Sequence, residues 1–536
     1  MVPGCVAWPD DFAQRYRSAG YWRGERLGDV MREWARADGA RTAVVAGNRR
    51  TSYAELNMRA DRLAVGLLRI GVRPGDRVVV QLPNMPSFLE VCIALFRLGA
   101  PPVLALPQHR RSEIEYLSRL TEAVAYVIPD RYQQYDYQAL AREVCRNVPT
   151  LRHVIVAGRT AEFVTLADTM AGPETGPPPV APPDPADVAF FLLSGGTTGL
   201  PKLIPRTHDD YAYQLRATAE AMRFDERGSY LAALPVAHNA ALGCPGVLGA
   251  LRVGGKVVLA ASPSPDEVFP LIAREQVTLT TLVPAYLTLW AEAAELFDVD
   301  MSRLVVEVGG ARLEPSTARE VRRRLGCELL RWFGMAEGML SFTRFADDEE
   351  VAVTTEGRPL SAADELRIVD ASDRPLGRDQ VGELLVRGPY TIRGYYKADE
   401  DNARAFTSDG FLRTGDLARI TARSDLVIEG RTKDVINRGG EKVSAEELEA
   451  HLRTHAGVLD AAVVAVPDRG LGEKTCACII PSGAALDARE LRRHVAARGL
   501  AEYKLPDRVR LMESFPATHL GKVDKKALRR VVAGDA

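Results

Sequence analysis

The sequence lacks an excess of either charge: its 536 residues carry 69 lysines and arginines against 71 aspartates and glutamates, for a net charge of −2. Nucleic-acid binding needs a basic surface, so this balance predicts no nucleic-acid partner. The sequence also lacks any run of about 20 apolar residues free of charge, which predicts no membrane span. Met1–Cys5 has neither a basic start nor an apolar segment, so we expect no secretory signal and a cytoplasmic protein.

Cysteine is scarce, and the seven cysteines show no metal-binding spacing. Cys476 and Cys478 come closest to a pair, within the apolar run Thr475–Ile480. Alternate residues of a strand share one face, so this spacing also suits a strand interior. The pattern therefore predicts buried structural cysteines rather than a zinc site or a disulfide.

The most informative stretch present is Ser194–His208, which reads Ser-Gly-Gly-Thr-Thr-Gly-Leu-Pro-Lys-Leu-Ile-Pro-Arg-Thr-His after the apolar run Val188–Leu193. The apolar run predicts a buried strand. Glycines allow a sharp turn with inward N–H groups, to which hydroxyls and a lysine add donors and charge. We predict a nucleotide phosphate site at Ser194, Gly195, Gly196, Thr197, Thr198, Gly199 and Lys202. It is not a Walker loop, because no Gly-Lys-Ser/Thr follows; a flexible glycine-rich connection is the alternative.

Up to about residue 420, helical patterns alternate with short β-rich runs, which predicts βα units and mainly parallel sheets. A helix is expected over Pro86–Leu98, stopped by Gly99, and a strand over Pro102–Leu106. Leu27, Val30, Met31 and Trp34 also follow helical spacing.

The pattern changes beyond residue 430. Ser444 and Glu447 form a capping box before an apolar helix face. Strands are then expected at Leu459–Val466 and Thr475–Ile480, and a helix at Ala488–Arg498. We predict an α/β protein with a large, multi-subdomain N-terminal domain of mainly parallel sheets and a small, mobile α+β C-terminal domain, with bounds 1–430 and 431–536.

Six segments, in order along nearly the whole chain, resemble the adenylate-forming superfamily, and most closely its stand-alone aryl-acid adenylating enzymes of siderophore biosynthesis. They are Ser194–His208, Leu234–Asn239, Phe333–Gly338, Arg413–Asp416, Gly430–Lys442 and Gly521–Val523. The resemblance implies a ligase that uses ATP and Mg²⁺ to convert an aryl acid to aryl-AMP and pyrophosphate. It further implies transfer of the acyl group to the phosphopantetheine thiol of an aryl carrier protein, in siderophore or related nonribosomal peptide biosynthesis.

The resemblance also assigns roles to single residues. Catalytic roles fall on His238, Lys442 and Lys522, magnesium binding on Glu337, and the interdomain hinge on Lys433. Further nucleotide contacts fall on Gly310, Ala311, Trp332, Phe333, Gly334, Asp416 and Arg431. Plainer alternatives stay open, in which His238 is structural, Lys522 and Glu337 are solvated surface charges, and the adenine wall is ordinary core.

The predicted acid pocket contains Asn239, Ala240, Cys244, Gly309, Leu340 and Lys522. The resemblance implies that Asn239 binds the ortho hydroxyl of the acid. Dihydroxybenzoate enzymes of this branch carry a serine where this chain has Cys244 and commonly a valine at Leu340. A thiol is a poor partner for a phenol, so we expect salicylate as the acid. Cys244 as neutral filling is the alternative, and Ala240 leaves space for a ring methyl group.

Two other functions stay open beside salicylate-AMP ligase: a 2,3-dihydroxybenzoate-AMP ligase and an aryl-CoA ligase. An inactive relative kept as a binding protein is a third possibility, which the presence of Glu337, Asp416 and Lys522 disfavours.

Overall fold

A computed structural model describes most of the chain between residues 2 and 533. The described residues are 2–172, 176–194, 201–297, 299–311, 313–431, 435–483, 486–516 and 523–533. None of the helices formed by these residues is long and apolar enough to cross a membrane.

The helices are numbered in chain order. They are α1 (Asp10–Ser18), α2 (Arg32–Ala37), α3 (Tyr53–Arg69), α4 (Pro86–Leu98), α5 (Arg111–Thr121), α6 (Tyr137–Asn147), α7 (Leu166–Met170), α8 (His208–Ala221), α9 (Asn239–Gly243), α10 (Gly246–Arg252), α11 (Pro265–Glu275), α12 (Pro284–Ala293), α13 (Pro315–Leu325), α14 (Glu349–Thr354), α15 (Asp399–Ala405), α16 (Ala445–Leu452), α17 (Ala488–Ala497) and α18 (Lys525–Ala533). Short 3₁₀ turns lie at Leu27–Asp29, Ala294–Leu296 and Glu502–Lys504.

The strands follow the same numbering rule. They are β1 (Thr42–Ala46), β2 (Arg49–Ser52), β3 (Val78–Val80), β4 (Pro102–Leu104), β5 (Ala125–Pro129), β6 (Arg131–Tyr132), β7 (Tyr135–Asp136), β8 (His153–Ala157), β9 (Val164–Thr165), β10 (Val188–Leu193), β11 (Leu203–Thr207), β12 (Ser229–Ala232), β13 (Lys256–Leu259), β14 (Leu279–Leu282), β15 (Val305–Gly309), β16 (Glu328–Met335), β17 (Gly338–Phe342), β18 (Arg358–Pro359), β19 (Glu365–Val369), β20 (Gly382–Arg387), β21 (Leu412–Ile420), β22 (Leu426–Arg431), β23 (Val435–Arg438), β24 (Glu441–Ser444), β25 (Val458–Asp468), β26 (Gly472–Pro481) and β27 (Arg508–Leu511).

Two mainly parallel sheets form the body of the large N-terminal part. Within the described ranges, one sheet has nine strands in the order β18-β17-β16-β15-β14-β12-β13-β1-β2, and the other has seven in the order β11-β10-β4-β3-β5-β8-β9. Inner strands pair in parallel, whereas β10 with β11, β1 with β2, and β16 with β17 pair antiparallel toward the edges. Parallel neighbours need long crossovers, which the helices supply. The predicted α/β class with mainly parallel sheets is confirmed.

An antiparallel sheet, β19-β20-β21-β22, completes the large part. The small C-terminal part has its own sheet, in which β24-β23-β26-β25 are antiparallel and β27 pairs with β26 in parallel. Helices α16 and α17 pack against this sheet through Leu448, Leu491 and Val495. The small unit is therefore α+β with a core of its own, as expected.

Several elements match their predicted bounds. Helix α4 spans Pro86–Leu98 and ends at Gly99, whose φ of +68° is a left-handed conformation that favours glycine. Strand β10 spans Val188–Leu193. Cys476 and Cys478 are buried on one face of β26, and all seven cysteines, which fall within the described part of the chain, are free thiols.

The helical spacing from Leu27 to Trp34 falls on two short helical elements, the 3₁₀ turn Leu27–Asp29 and α2. Within that turn, the Gly28 carbonyl accepts a hydrogen bond from Arg97 Nε at 2.7 Å. One local prediction needs correction, because the capping box is only half formed. Ser444 Oγ accepts the Glu447 N–H at 3.2 Å, but the Glu447 carboxylate binds Lys504 instead of returning to the cap.

The fully buried guanidinium of Arg206, on β11, connects several elements of the large part. Its Nε donates to Asp210 Oδ1 at 2.9 Å, and its Nη2 donates to Gln214 Oε1 at 2.9 Å, both on α8. It also donates to the backbone carbonyls of Ala336, at 2.9 Å, and Tyr390, at 3.2 Å. A buried charge with full hydrogen bonding is tolerated, whereas removing one partner leaves the other charge uncompensated.

We expect Arg206→Met to destabilise the large part by about 3–5 kcal/mol, because it leaves the Asp210 carboxylate buried without a cation. Thermal unfolding followed by circular dichroism measures the effect. Arg227→Met, at an exposed arginine, is the matched control. Equal melting temperatures for the two variants would contradict the prediction.

Candidate active site

The two ends of the predicted phosphate loop are joined. Ser194 follows β10, and its N–H donates to the Lys202 carbonyl at 2.9 Å. In return, the Lys202 N–H donates to Ser194 Oγ at 3.0 Å. Gly195, Gly196, Thr197, Thr198 and Gly199 lie outside the described residues. The loop thus starts and ends at one point, beside the antiparallel pair β10–β11.

Tyr395 brings the predicted phosphate-binding lysine and the predicted metal ligand together. Lys202 Nζ lies 5.0 Å from the centre of the Tyr395 ring and 3.1 Å from Asp401 Oδ1. The Tyr395 hydroxyl donates to Glu337 Oε1 at 2.9 Å. Burial, the nearby Glu337 charge and this hydrogen bond raise the pKa of Tyr395, so the phenol stays protonated and keeps donating. Glu337 is a carboxylate, and Mg²⁺ prefers oxygen ligands of this kind.

Glu337 sits in the turn between β16 and β17, which is held from both sides. The Ile392 N–H donates to the Glu337 carbonyl at 2.8 Å, and Arg206 binds the carbonyl of Ala336. Gly338 follows with a φ of +113°, and a Cβ there would collide with the Tyr390 backbone. The turn therefore needs glycine at this position, and the carboxylate projects from a fixed backbone.

Trp332 and Phe333, predicted together as adenine contacts, lie on opposite faces of β16. Trp332 packs in the core that contains Leu340, while Phe333 packs against the core of the antiparallel sheet. Neighbouring residues of a strand point to opposite faces, so their adjacent positions in a predicted strand already indicate that Trp332 and Phe333 do not share a face. A side chain at Gly309 would collide with the Trp332 ring, and one at Gly334 with Leu340. Both glycines thus have a packing role.

Asp416 lies on β21 and is 2% exposed. Its backbone is directly opposite Arg431 of β22 in the antiparallel register. Gly415, just before it, has a φ of +72°. The backbones of the two predicted ribose-side residues are therefore register partners on neighbouring strands.

The predicted acid-pocket residues Asn239 and Cys244 are held by α8. Asn239 Oδ1 accepts from the Tyr211 hydroxyl at 2.9 Å, and its Nδ2 lies 3.7 Å from Cys244 Sγ. Gln214 Nε2 donates to the Gly243 carbonyl at 2.8 Å and approaches Cys244 Sγ at 3.6 Å. Sequence reasoning missed Tyr211 and Gln214, whose only signal was their helical spacing after the motif at Arg206.

Two more of the predicted acid-pocket residues, Leu340 and Ala240, are apolar. Leu340 is fully buried in the same core as Cys244, and half-buried Ala240 packs against that core. Burial raises the pKa of the Cys244 thiol, which donates weakly to the Asn239 carbonyl at 3.5 Å. The thiol is therefore neutral and already engaged with the backbone.

A segment of the small domain reaches this site. Asn437 Nδ2 donates to the Gly310 carbonyl at 2.5 Å, and Lys442 Nζ donates to the same carbonyl at 3.2 Å. Gly310 has a φ of +77° and precedes Ala311. At Gly440, a Cβ would lie 2.8 Å from Val283 Cγ1 of the large domain. The structure thus brings Lys442 to the predicted nucleotide residues, while Lys433 and Lys522 lie outside the described residues.

His238 is also part of this contact, through Glu441. Its Nε2 lies 3.4 Å from Glu441 Oε1. Burial disfavours the imidazolium, but the Glu441 carboxylate outweighs it and raises the pKa of His238. Burial likewise opposes the charge on Glu441, while His238 lowers the pKa of that carboxyl. The charged pair therefore exists above the lowered pKa of Glu441 and is lost as pH rises through the raised pKa of His238.

A second contact between the domains is buried and ionic. Lys504 Nζ lies 3.0 Å from Glu113 Oε1 of α5 and 2.9 Å from Glu447 Oε1 of α16. Glu113 Oε1 also accepts the Ala501 N–H at 3.2 Å, and the Ser112 N–H donates to the Gly499 carbonyl at 3.3 Å. Although burial opposes ionisation, the two carboxylates together raise the pKa of Lys504. No motif or spacing in the sequence predicts this contact.

Comparison with known proteins identifies the family. A model described as AMP-binding enzyme matches residues 31–396, and one described as AMP-binding enzyme C-terminal domain matches residues 447–522. The chain belongs to the AMP-binding enzyme family. The predicted resemblance to aryl-acid adenylating enzymes is confirmed by its relatives.

Among curated relatives of this AMP-binding enzyme, Triostin synthetase I of Streptomyces triostinicus is 53% identical over 100% of both chains. The 2,3-dihydroxybenzoate-AMP ligase of Bacillus subtilis is 53% identical, covering 99% of this chain and 98% of the relative. A salicyl-AMP ligase / salicyl-S-ArCP synthetase of Mycobacterium tuberculosis is 47% identical, covering 98% and 94%. The apo structure of MbtA from Mycobacterium smegmatis has a TM-score of 0.77 at 46% identity, covering 98% of each chain.

In this AMP-binding enzyme, Glu113→Gln should weaken the docking of the small domain. The substitution removes the charge that accepts from Lys504 and Ala501, and a hydrogen bond to a charged group is worth about 1.5–3 kcal/mol, roughly 10- to 150-fold in the docking equilibrium. Energy transfer between labels on the two domains measures that equilibrium. Glu115→Gln, on the same helix but bonded to Asn147 within the large domain, is the control and should leave it unchanged.

Proposed function

We propose that the chain is a salicylate-type aryl-acid AMP ligase, which converts an ortho-hydroxy aromatic acid and ATP to aryl-AMP and pyrophosphate. It then passes the acyl group to the phosphopantetheine thiol of an aryl carrier protein, in siderophore or related nonribosomal peptide biosynthesis. The observation that carries the proposal is the placement of the Asn239 amide. Its oxygen accepts from the Tyr211 hydroxyl, and its nitrogen lies near Cys244 Sγ. Cys244 belongs to the same apolar core as Leu340. The names of the dihydroxybenzoate and salicyl relatives support the substrate class.

We also propose a nucleotide site. In our proposal the loop from Ser194 to Lys202 binds the ATP phosphates, and Asp416 with Arg431 binds the ribose. Gly310, Ala311 and Phe333 line the base, while Trp332 and Gly334 support that wall from the strand. One Mg²⁺ fits Glu337, whose carboxylate Tyr395 orients, and would neutralise phosphate charge when bound.

Formation of the adenylate requires two anions to approach, so the chain must supply positive charge at the carboxylate. We assign this positive charge to Lys522, which bridges the acid, the α-phosphate and the ribose.

We further propose that 1–430 and 431–536 are the two domains, with Lys433 as the hinge that changes their relative orientation. Hinges absorb backbone rotation and need no chemistry of their own.

The described domain arrangement supports the second step. Lys442 and Asn437 bind the Gly310 carbonyl, and Gly440 packs on Val283. We propose that this arrangement is the one for thioester formation, in which the small domain closes on the aryl-AMP and His238 forms part of the wall. The free thiols of the described cysteines suit a reducing compartment, which supports a cytoplasmic location.

The two steps should separate by substitution. Lys522→Ala is expected to lower acid-dependent ATP–pyrophosphate exchange by orders of magnitude with an unchanged melting temperature, since it removes charge stabilisation of the adenylate step.

Lys433→Pro should spare exchange and block acyl transfer to the carrier, measured by mass spectrometry of the phosphopantetheine arm. Coenzyme A in place of the carrier tests an aryl-CoA ligase. Equal loss of both steps in Lys433→Pro would contradict the hinge.

Cys244 should decide between salicylate and 2,3-dihydroxybenzoate. Cys244→Ser is expected to raise kcat/KM for the dihydroxy acid relative to salicylate by about 5- to 150-fold, the effect of satisfying one buried hydroxyl. ATP–pyrophosphate exchange with both acids measures this ratio. The control is Cys327→Ser, because Cys327 is also buried but belongs to a different apolar core from Cys244. A wild-type preference for 2,3-dihydroxybenzoate would favour the alternative substrate within the same enzyme class.

A further inference from the structure

Residues 389–397, the tyrosine segment, lie between β20 and α15 and hold the predicted metal ligand in two ways. The Ile392 N–H donates to the Glu337 carbonyl at 2.8 Å, which fixes the backbone of the ligand. The Tyr395 hydroxyl donates to Glu337 Oε1 at 2.9 Å, which orients the carboxylate. The Tyr395 ring also lies 5.0 Å from Lys202 Nζ. The predicted metal ligand and the predicted phosphate-binding lysine therefore both depend on the position of the tyrosine segment.

The beginning of the chain, residues 2–22, binds the tyrosine segment at both ends and is called the N-terminal segment. Trp22, which is 3% exposed, donates from Nε1 to the Pro389 carbonyl at 2.9 Å. At the other end, the Lys397 N–H donates to the Gly4 carbonyl at 2.9 Å. Both bonds use backbone groups of the tyrosine segment, so they fix the course of its chain as well as its side chains.

The middle of the tyrosine segment also packs against the N-terminal segment. The Arg393 guanidinium carbon lies 5.6 Å from the centre of the Trp8 ring and 4.7 Å from that of the Phe12 ring. Both distances allow a cation–π attraction. A Cβ at Gly394 would lie 2.4 Å from Val6 Cγ2, which is closer than packed atoms approach. The two segments thus fit each other closely along their length.

The N-terminal segment is itself anchored to the large domain. Val2 belongs to the apolar core that also contains Tyr396. The Trp8 ring packs edge-on against two buried rings, with its centre 5.8 Å from that of Tyr16 and 4.9 Å from that of Trp22. Because the N-terminal segment is fixed at several points, it can restrain the tyrosine segment instead of following its motion.

This restraint matters for a magnesium ligand. Mg²⁺ demands near-ideal ligand geometry, so the groups that orient its ligands have a strong influence on its binding. The orienting group for Glu337 is the Tyr395 hydroxyl, and a displacement of the tyrosine segment moves that hydroxyl with it. Connections between elements are mobile unless other contacts fix them, and here the N-terminal segment supplies such contacts.

We propose that the N-terminal segment is a positioning element of the magnesium site, in which Trp8 is a positioning residue that acts on Glu337 through the tyrosine segment. This inference rests on the proposed function, which assigns Mg²⁺ to Glu337. It extends the site to a part of the chain that contains none of the predicted site residues. Since Trp8 acts only through the tyrosine segment, its removal should weaken the use of Mg²⁺ and leave recognition of the acid unchanged.

Trp8→Leu removes the ring beside Arg393 and keeps an apolar side chain at that position. We expect the Mg²⁺ concentration for half-maximal ATP–pyrophosphate exchange to rise by about 2- to 30-fold, the fold-change that one cation–π contact represents. The KM for the acid should stay close to its wild-type value. Trp34→Leu is the matched control, because Trp34 is also half-buried and has the Arg41 guanidinium 5.9 Å from its ring centre. It should leave the Mg²⁺ dependence unchanged.

A measurement without nucleotide or metal separates positioning from a general loss of stability. Hydrogen–deuterium exchange of the Ile392 N–H reports directly on its bond to the Glu337 carbonyl. This N–H should exchange faster in Trp8→Leu than in the wild type, and at the wild-type rate in Trp34→Leu.

Gly394→Ala tests the fit of the two segments from the other side. The added methyl group collides with Val6, so the half-maximal Mg²⁺ concentration should rise by about 5- to 150-fold, the fold-change of an overpacked contact. The same methyl group lies 3.2 Å from Asn402 Nδ2, a contact that does not involve the N-terminal segment. Adding Val6→Gly removes only the collision with Val6 and should reverse most of the increase, and the Val6→Gly single variant completes the cycle.

Two outcomes distinguish this inference from the proposed function. A wild-type Mg²⁺ dependence in both Trp8→Leu and Gly394→Ala, with an unchanged deuterium exchange rate at Ile392, would overturn the inference and leave the proposed function intact. Absence of ATP–pyrophosphate exchange with every acid in the wild type would overturn the proposed function and this inference with it.

Discussion

The Arg206 guanidinium is the interaction on which the geometry of the site depends. It binds the side chain of Gln214, which in turn donates to the Gly243 carbonyl and approaches Cys244. It also binds the Ala336 carbonyl, in the turn that presents Glu337. The positions of the proposed acid pocket and of the proposed magnesium ligand therefore both depend on one buried cation. Reaction between a carboxylate and a phosphate requires the two anions to be held in register, and a displacement of about 1 Å is enough to slow such reactions severely. A rigid, fully bonded arginine between the two subsites satisfies that requirement.

The contacts between the two domains have a different character. In the described part of the chain, the apolar clusters of the small domain contain only its own residues. The interface instead uses polar contacts, such as Lys504 with Glu113 and Lys442 with the Gly310 carbonyl. On release each polar group exchanges its protein partner for water, so its net contribution to docking is only a fraction of the gross interaction, whereas a shared apolar core would be exposed to water. An interface of this kind fits the proposed hinge, which requires the small domain to leave its position and return.

The sequence predicts the elements and the chemistry of the site well where local rules apply. The glycine after Leu98 and the apolar run Val188–Leu193 gave accurate bounds, because each depends on local conformation or burial. Contacts between distant segments had no such signal. Lys504 is an ordinary lysine in the sequence, and its role comes from Glu113, about four hundred positions away. Strand alternation predicts that Trp332 and Phe333 point to opposite faces of β16. The sequence interpretation missed this because it assigned both residues of the motif to the same adenine pocket.

The proposed acid pocket illustrates which part of a site a sequence can predict. Cys244 and Leu340 were visible as departures from the pattern of the dihydroxybenzoate enzymes, because each differs from the side chain expected at one position of a motif. Tyr211 and Gln214, which bind Asn239 and the Gly243 carbonyl from α8, were not visible, because their contacts depend on how α8 packs against α9. The residues proposed to touch a substrate are thus predictable from a motif, whereas the residues that position them follow only from the packing of the helices.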